Sequence, residues 1–143
     1  MQHLDIKWPE SLKRTKTRQS VVEELQAADR PLSALEIYTA LLTKNVSIAQ
    51  STVYRTLETL VTHAVVLKDS MLDQGLVVYE LNRSTHTHYA ICLACMKVIA
   101  LDICPIEESL NRVEVEDFSI EGHKVEIYGY CKACLAAGRA SRA

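Results

Sequence analysis

Three segments in the first half of the chain repeat apolar residues at the three- and four-residue spacing of an amphipathic helix. These residues are Val21, Val22 and Leu25 in the first segment, Ile37, Leu41 and Leu42 in the second, and Val53, Leu57, Leu60 and Val61 in the third. The pattern predicts three short helices joined by tight turns, as in a helix-turn-helix.

Polar residues predict where two of these helices begin. Ser33 and Glu36 have the spacing of a capping box, in which the serine caps the helix and the glutamate reaches back to it. Ser47 and Gln50 repeat this spacing, so we expect the third helix to open in the same way.

Beyond the third helix the pattern changes to that of strands. Residues 65–67 and 76–81 are apolar and β-rich, with a turn (Asp-Gln-Gly) at residues 73–75. A hairpin in this position predicts a wing. Residues 82–85 form a polar hinge, followed by a strand, a helix opened by Pro105, and further strands. We therefore expect an α+β protein, with a winged helix-turn-helix domain at residues 1–82 and a small α/β domain at residues 83–143.

Composition narrows the class of protein. A chain of 143 residues forms one domain or two small ones, and a net charge of −2 excludes a uniformly basic coat for nucleic acid. No apolar run approaches the roughly 20 residues of a membrane span, and the start lacks a signal-peptide pattern. We expect a cytoplasmic protein with reduced thiols. A basic cluster lies near the N-terminus, where it is either a nucleic-acid contact or a solvated charge run; its members are Lys7, Lys13, Arg14, Lys16 and Arg18.

Four of the five cysteines form two Cys-x-x-Cys pairs, Cys92 with Cys95 and Cys131 with Cys134. Two such pairs in a small chain predict one tetrahedral structural zinc site with four thiolate ligands. Disulfides are the alternative, but they suit secreted chains. Because a closed four-thiolate site organises a fold and performs no chemistry, the function must lie elsewhere in the chain.

The third predicted helix, at residues 51–61, is the candidate DNA-reading element. The residues on its outward face are Ser51, Thr52, Tyr54, Arg55 and Glu58. Arginine reads guanine edges or contacts phosphate, and hydroxyl groups bind either. An ordinary amphipathic helix remains the alternative on this pattern alone.

Several motifs resemble the ferric uptake regulator (Fur) family. They are STVYRTL at residues 51–57, YEL at 79–81, a histidine-bearing strand followed by ICLAC at 91–95, and GHKVEIYGYC at 122–131. The resemblance covers about residues 10–135. It implies a homodimeric metalloregulator, with a winged helix and a dimerisation domain in each subunit, that binds double-stranded operator DNA and usually represses transcription. By motif position it implies that Tyr54 and Arg55 contact DNA, and that Lys13 and Arg18 contact phosphates or the minor groove.

A second metal site is expected from the remaining ligands. His86 and His88 share a face of the predicted strand, and Glu107 and His123 complete a tetrahedral set of nitrogen and oxygen ligands at family positions. Ordinary surface histidines are the alternative. Cys104 is expected to be a buried structural thiol, with membership of a metal site as the alternative.

The chain departs from the family at its other usual regulatory site. Glu80 supplies one acid there, but Pro31, Thr87, Tyr89 and Ala100 occupy the remaining positions and cannot replace the ligands. This disfavours peroxide sensing and weakens an ordinary iron sensor. The segments around Cys104-Pro105 and His123 further resemble zinc uptake regulators (Zur). We therefore expect a second, regulatory Zn²⁺ beside the structural one.

The preferred function is a zinc-responsive repressor. A regulator that responds to iron or another divalent metal is the alternative within the family. From other classes, a zinc-dependent enzyme would use the histidine set with Glu108 as base, but no HExxH pattern supports it. A zinc-ribbon interaction module without DNA binding is disfavoured by the Tyr54-Arg55 helix.

Overall fold

In the computed structural model the described residues are 6–73, 75–83 and 86–140. The chain divides into two compact units, Met1–Thr85 and His86–Ala143. The boundary therefore follows residue 85, whereas the sequence pattern placed it after residue 82. Residues 84 and 85 of the predicted hinge lie outside the described residues, as does residue 74 of the predicted turn.

The first unit begins with three helices, α1 (Lys16–Ala27), α2 (Ala34–Thr43) and α3 (Gln50–Thr62). Thr15 caps α1 by accepting a hydrogen bond from the backbone N–H of Arg18. The predicted capping box of Ser33 and Glu36 is present in full at the start of α2. Both caps satisfy backbone N–H groups that a helix leaves without internal partners.

Helix α3 begins at Gln50 with Ala49 at its N-cap and no side-chain cap, so the predicted capping box at Ser47 is wrong. The reason is packing: Val46 and Ile48 both pack partly buried against the core, and two residues that are two apart share a face only in an extended chain. The segment therefore stays extended until the backbone N–H groups of Thr52 and Val53 reach the Ala49 carbonyl.

The wing is an antiparallel hairpin of β1 (Val66–Met71) and β2 (Leu76–Leu81), longer in its first strand than the sequence predicted. Leu32 adds an isolated antiparallel bridge to Tyr79, through hydrogen bonds in both directions. The core of this unit joins the three helices to the hairpin through fully buried residues such as Val21, Ile37 and Leu57.

The second unit contains β3 (Tyr89–Cys92), β4 (Val98–Ala100), α4 (Glu107–Leu110), β5 (Glu126–Gly129) and α5 (Lys132–Ala136). Its three-stranded sheet has the order β4-β3-β5, with β3 antiparallel to β4 and parallel to β5. The central strand β3 is therefore hydrogen-bonded on both edges. Among the described residues, no helix of either unit is both long and apolar enough to cross a lipid bilayer.

Candidate metal sites and nucleic-acid interface

The four cysteines of the two Cys-x-x-Cys pairs converge in the second unit. Cys92 ends β3, Cys95 lies in the turn before β4, Cys131 is the N-cap of α5, and Cys134 lies in its first turn. Their sulfur atoms all lie within 4.8 Å of one another, and the Cys95 and Cys131 sulfurs are 3.8 Å apart. A tetrahedral site with Zn–S bonds of about 2.3 Å has sulfur–sulfur edges of about 3.8 Å. The geometry suits zinc.

Backbone groups and burial act oppositely on these thiols. The backbone N–H of Cys131 donates to the Cys92 sulfur over 3.3 Å, and with the N–H of Cys95 it lowers the Cys92 pKa to about 6. The N–H of Cys134 lowers the pKa of Cys131 in the same way. Burial instead raises the pKa of Cys134 to about 12. The Cys134 thiol therefore becomes a ligand only when a cation displaces its proton.

A second cluster lies in the same unit. His86 and His88 precede β3, Cys104 lies between β4 and α4, and His123 precedes β5. The Nε2 atom of His123 is 2.9 Å from the Nε2 atoms of both His86 and His88. The Cys104 sulfur lies 3.3 Å from the Nε2 atoms of His88 and His123, and all four donor atoms lie within 4.8 Å of one another.

Hydrogen bonding alone does not account for this convergence. A ring nitrogen carries either one hydrogen or one lone pair, so His123 Nε2 cannot satisfy its three close neighbours at once. A cation at the centre would be bound by all four groups together. Burial lowers the pKa of His88, and the charges of His86 and His123 lower it further. The neutral imidazole, which is the metal-binding form, is thereby favoured.

The membership of this cluster differs from the set expected from the sequence. His86, His88 and His123 come together as expected, but Glu107 is not part of the cluster, and Cys104 supplies the fourth donor. Helix α4 has only four residues and starts at Glu107 rather than at Pro105, and the Glu107 side chain is exposed. Cys104 is a half-exposed member of the cluster, not a buried structural thiol. The available signal was that Cys104 is the one cysteine outside the two pairs.

At the other regulatory position of the family, two of the residues that are not expected to bind a metal lie in the interior. Pro31 and Tyr89 are buried. Among the described residues, three or more potential ligands converge only at the four-cysteine and the histidine-cysteine clusters, and Glu80 belongs to neither.

Helix α3 presents a polar surface in the first unit. A concave surface is lined by Arg18 of α1 and by Thr52, Arg55, Thr56 and Thr59 of α3. Of the residues expected to contact DNA, four are exposed and two, Arg18 and Thr52, are half-exposed; the exposed ones are Lys13, Ser51, Tyr54 and Arg55. Thr56 and Thr59, which sequence reasoning missed, extend this surface by one helical turn.

Two contacts shape the surroundings of this surface. Arg18 donates from Nη1 to the Lys13 carbonyl over 2.6 Å, which holds the chain before α1 beside that helix. Glu58 forms an ion pair with Lys68 of the wing at 2.9 Å, so the acidic residue of the helix is partly neutralised. The guanidinium of Arg55 makes long contacts of 3.4 and 3.5 Å to Ser51, and its position on the exposed side of α3 leaves it accessible to a ligand.

A winged helix joined to a unit that holds two four-donor clusters defines a metal-dependent, DNA-binding regulator. A family model described as the ferric uptake regulator family matches residues 9–128, and the chain belongs to that family. The ferric uptake regulation protein of Bordetella parapertussis is 36% identical over 125 residues, which cover 86% of this chain and 89% of that protein. The α+β class and the family expected from the motifs are thus confirmed.

Two solved structures have the same fold. The Vibrio cholerae ferric uptake regulator matches with a TM-score of 0.75 and 28% identity, covering 85% of this chain and 93% of that chain. The Helicobacter pylori regulator, described as having three functional metal binding sites, matches with a TM-score of 0.73 and 28% identity, covering 87% and 83%.

Proposed function

We propose that this protein is a cytoplasmic, zinc-responsive transcriptional repressor that binds operator DNA as a homodimer. The observation that carries the proposal is the convergence of His86, His88, Cys104 and His123 on one point, in addition to the four-cysteine cluster. One cluster suits a structural zinc, and the other suits the ion that the protein senses.

The two clusters differ in a way that fits these two roles. In the four-cysteine cluster two donors, Cys92 and Cys134, are buried, and Cys95 is exposed. In the second cluster only His88 is buried, and His86 is exposed. With fewer buried donors, the second cluster is the more accessible of the two to an ion that exchanges with solvent.

Dimer formation is supported by exposed apolar side chains in the second unit. The most exposed of them are Ile103, Val115, Phe118, Tyr128 and Leu135, each at least half exposed. Exposed apolar residues that form a contiguous patch are typical of a surface that another protein covers. We propose a second copy of this chain, which would also supply the two recognition helices that a near-palindromic operator requires.

An enzymatic role is disfavoured by the donor sets. A catalytic zinc keeps one position for water beside three protein ligands, whereas each cluster here supplies four protein donors. The family consists of transcriptional regulators. Iron is the alternative effector, because the similar proteins carry the name ferric uptake regulator.

The test is operator binding by gel shift as zinc is titrated into protein whose four-cysteine site is already filled. Wild type should bind only when the second site fills, and His86→Ala and His123→Ala proteins should lose the response while keeping the structural zinc. Arg55→Ala should bind zinc normally and still bind operator DNA more weakly than wild type. A wild-type zinc response in both histidine variants would refute the sensing role, and a parallel Fe²⁺ titration decides between the two metals.

A further inference from the structure

Cys104 joins the three histidines of the second cluster in place of the carboxylate that the sequence suggested. We propose that its thiolate is the fourth ligand of the effector site, and that it makes the site select thiophilic divalent ions such as Zn²⁺, Co²⁺ and Cd²⁺ over Mn²⁺. The inference deepens the proposed function and rests on the second cluster being a metal site.

The backbone brings Cys104 to the histidines. The N–H of Leu101 donates to the His88 carbonyl over 2.8 Å, which fixes the start of the loop after β4 beside a ligand. Three residues later the loop carries the Cys104 sulfur to 3.3 Å from both His88 Nε2 and His123 Nε2. Glu107 lies beyond the loop on exposed α4.

The distances fit a metal with one sulfur ligand. With Zn–N bonds of about 2.0–2.1 Å and a Zn–S bond of about 2.3 Å, tetrahedral nitrogen–sulfur edges are about 3.6 Å and nitrogen–nitrogen edges about 3.3 Å. The corresponding separations here are 3.3 Å and 2.9 Å. An expansion of a few tenths of an ångström, within the reach of side-chain torsions, therefore admits the ion.

Selectivity follows from the kind of donor rather than from charge. A thiolate and a carboxylate each carry one negative charge, so exchanging Glu107 for Cys104 leaves the charge of a three-imidazole site unchanged. Soft thiolate ligands favour zinc and similar ions, whereas carboxylate oxygens suit manganese and magnesium. A site with Cys104 thus discriminates against Mn²⁺ in a way that a site with Glu107 would not.

Cobalt spectroscopy tests the ligand directly. The four-cysteine site is first filled with Zn²⁺, and Co²⁺ is then titrated into the second site of the full-length protein. Wild type and Glu107→Gln should show sulfur-to-cobalt charge-transfer absorption together with intense tetrahedral ligand-field bands. Cys104→Ser should lose the charge-transfer absorption. Its zinc content and circular dichroism establish that it is folded.

Metal selectivity is tested with a variant that replaces the Cys104 thiolate by a carboxylate of the same charge. Cys104→Asp should lower the affinity for Zn²⁺ relative to that for Mn²⁺ by about tenfold or more, since even outer-shell ligand partners change metal affinity by about 10–100-fold. Charge-transfer absorption that persists in Cys104→Ser, or that is lost in Glu107→Gln, would overturn the assignment. In either case a zinc-dependent gel shift would leave the proposed function standing. An unchanged Zn²⁺-to-Mn²⁺ ratio in Cys104→Asp would overturn the selectivity.

Discussion

The Cys92 thiol is polarised by its own backbone surroundings before any metal binds. Two backbone N–H groups, of Cys131 and Cys95, lower its pKa to about 6, which favours the thiolate form that a metal requires. Cys92 also ends the central strand of the second unit and is buried. A ligand in this position couples metal binding to the fold of the sheet.

Replacing Cys92 by serine should release the structural zinc and unfold the second unit, because the binding energy of a four-thiolate site is largely folding energy. Zinc content after gel filtration and circular dichroism are the measurements. Cys104→Ser is the matched control, since it removes a thiol from the other cluster and should keep the structural zinc. A Cys92→Ser protein with full zinc content and native circular dichroism would remove Cys92 from the site.

Single residues also mark the limit of the sequence analysis. The four cysteines and three histidines were predictable because spacing and motif identify them. The choice between Cys104 and Glu107 was not, because it depends on where a four-residue helix begins and on how the loop after β4 folds back. The Leu101–His88 hydrogen bond that directs this loop joins two segments whose pairing no local pattern indicates.

At the scale of elements, helix α2 is fixed at its start by the capping box and by an ion pair. Glu36 accepts from the Ser33 N–H over 2.7 Å and pairs with Arg30 at 2.6 Å. Burial raises the pKa of Glu36, but the hydrogen bonds and the Arg30 charge outweigh it, so the pKa lies below the ordinary 4.5. The stability from this carboxylate is therefore complete above pH 4.5 and is lost as the pH falls through the lowered pKa.

Glu36→Gln should lower the free energy of unfolding by roughly 0.5–1 kcal/mol at neutral pH, in the range of a helix cap or a partly exposed ion pair. The difference from wild type should shrink as the pH falls below 4.5. Urea unfolding of both proteins at several pH values measures this difference in the free energy of unfolding. Glu23→Gln on α1, where the carboxylate is exposed and accepts a hydrogen bond from Gln19, is the matched control and should have a smaller effect at neutral pH. A Glu36→Gln deficit independent of pH would show that the charge is not responsible.

One variant in helix α3 and one in the basic N-terminal cluster should distinguish sequence-specific from general DNA binding. Arg55→Ala should weaken operator binding by roughly 1–3 kcal/mol if it makes a bidentate base contact. Lys13→Ala should weaken all sequences alike and lower the salt slope by about one unit. Fluorescence anisotropy with operator and scrambled duplexes at several salt concentrations distinguishes the effect of Arg55→Ala from that of Lys13→Ala. Arg112→Ala, which makes the same charge change at an exposed site in the second unit, is the control and should leave specificity unchanged. If Arg55→Ala kept its preference for operator over scrambled DNA, the recognition role of α3 would be contradicted.

At the scale of the whole molecule, the two units differ in how they are stabilised. The main hydrophobic cluster of the described chain consists of residues of the first unit, from Leu12 to Leu81. In the second unit the buried apolar side chains, cysteines included, are Tyr89, Ile91, Cys92, Val98 and Cys134. So small a core rarely stabilises a domain of this size without a metal or a partner.

Strong chelation should therefore unfold the second unit while the first keeps its helices. Amide resonances observed by NMR during chelator titration would show loss of dispersion confined to residues after 85. Leu57→Ala is the complementary change: it should destabilise the first unit by about 2–5 kcal/mol without releasing zinc. Simultaneous loss of both units on chelation would show that the first unit depends on the metal.

Strand β3 has a further consequence, because it links the two clusters: one donor directly precedes it and another ends it. His88 directly precedes the strand and Cys92 ends it, so four residue steps, roughly 13 Å of extended chain, separate a donor of one cluster from a donor of the other. An empty four-thiolate site frees the end of this strand and thereby misplaces the buried histidine at its beginning. We expect the ions to load in a fixed order, the thiolate site first. The protein would then bind its operator only at zinc concentrations above those that fill the four-cysteine site. Under severe zinc starvation it would lose operator binding, because the second site would no longer be assembled.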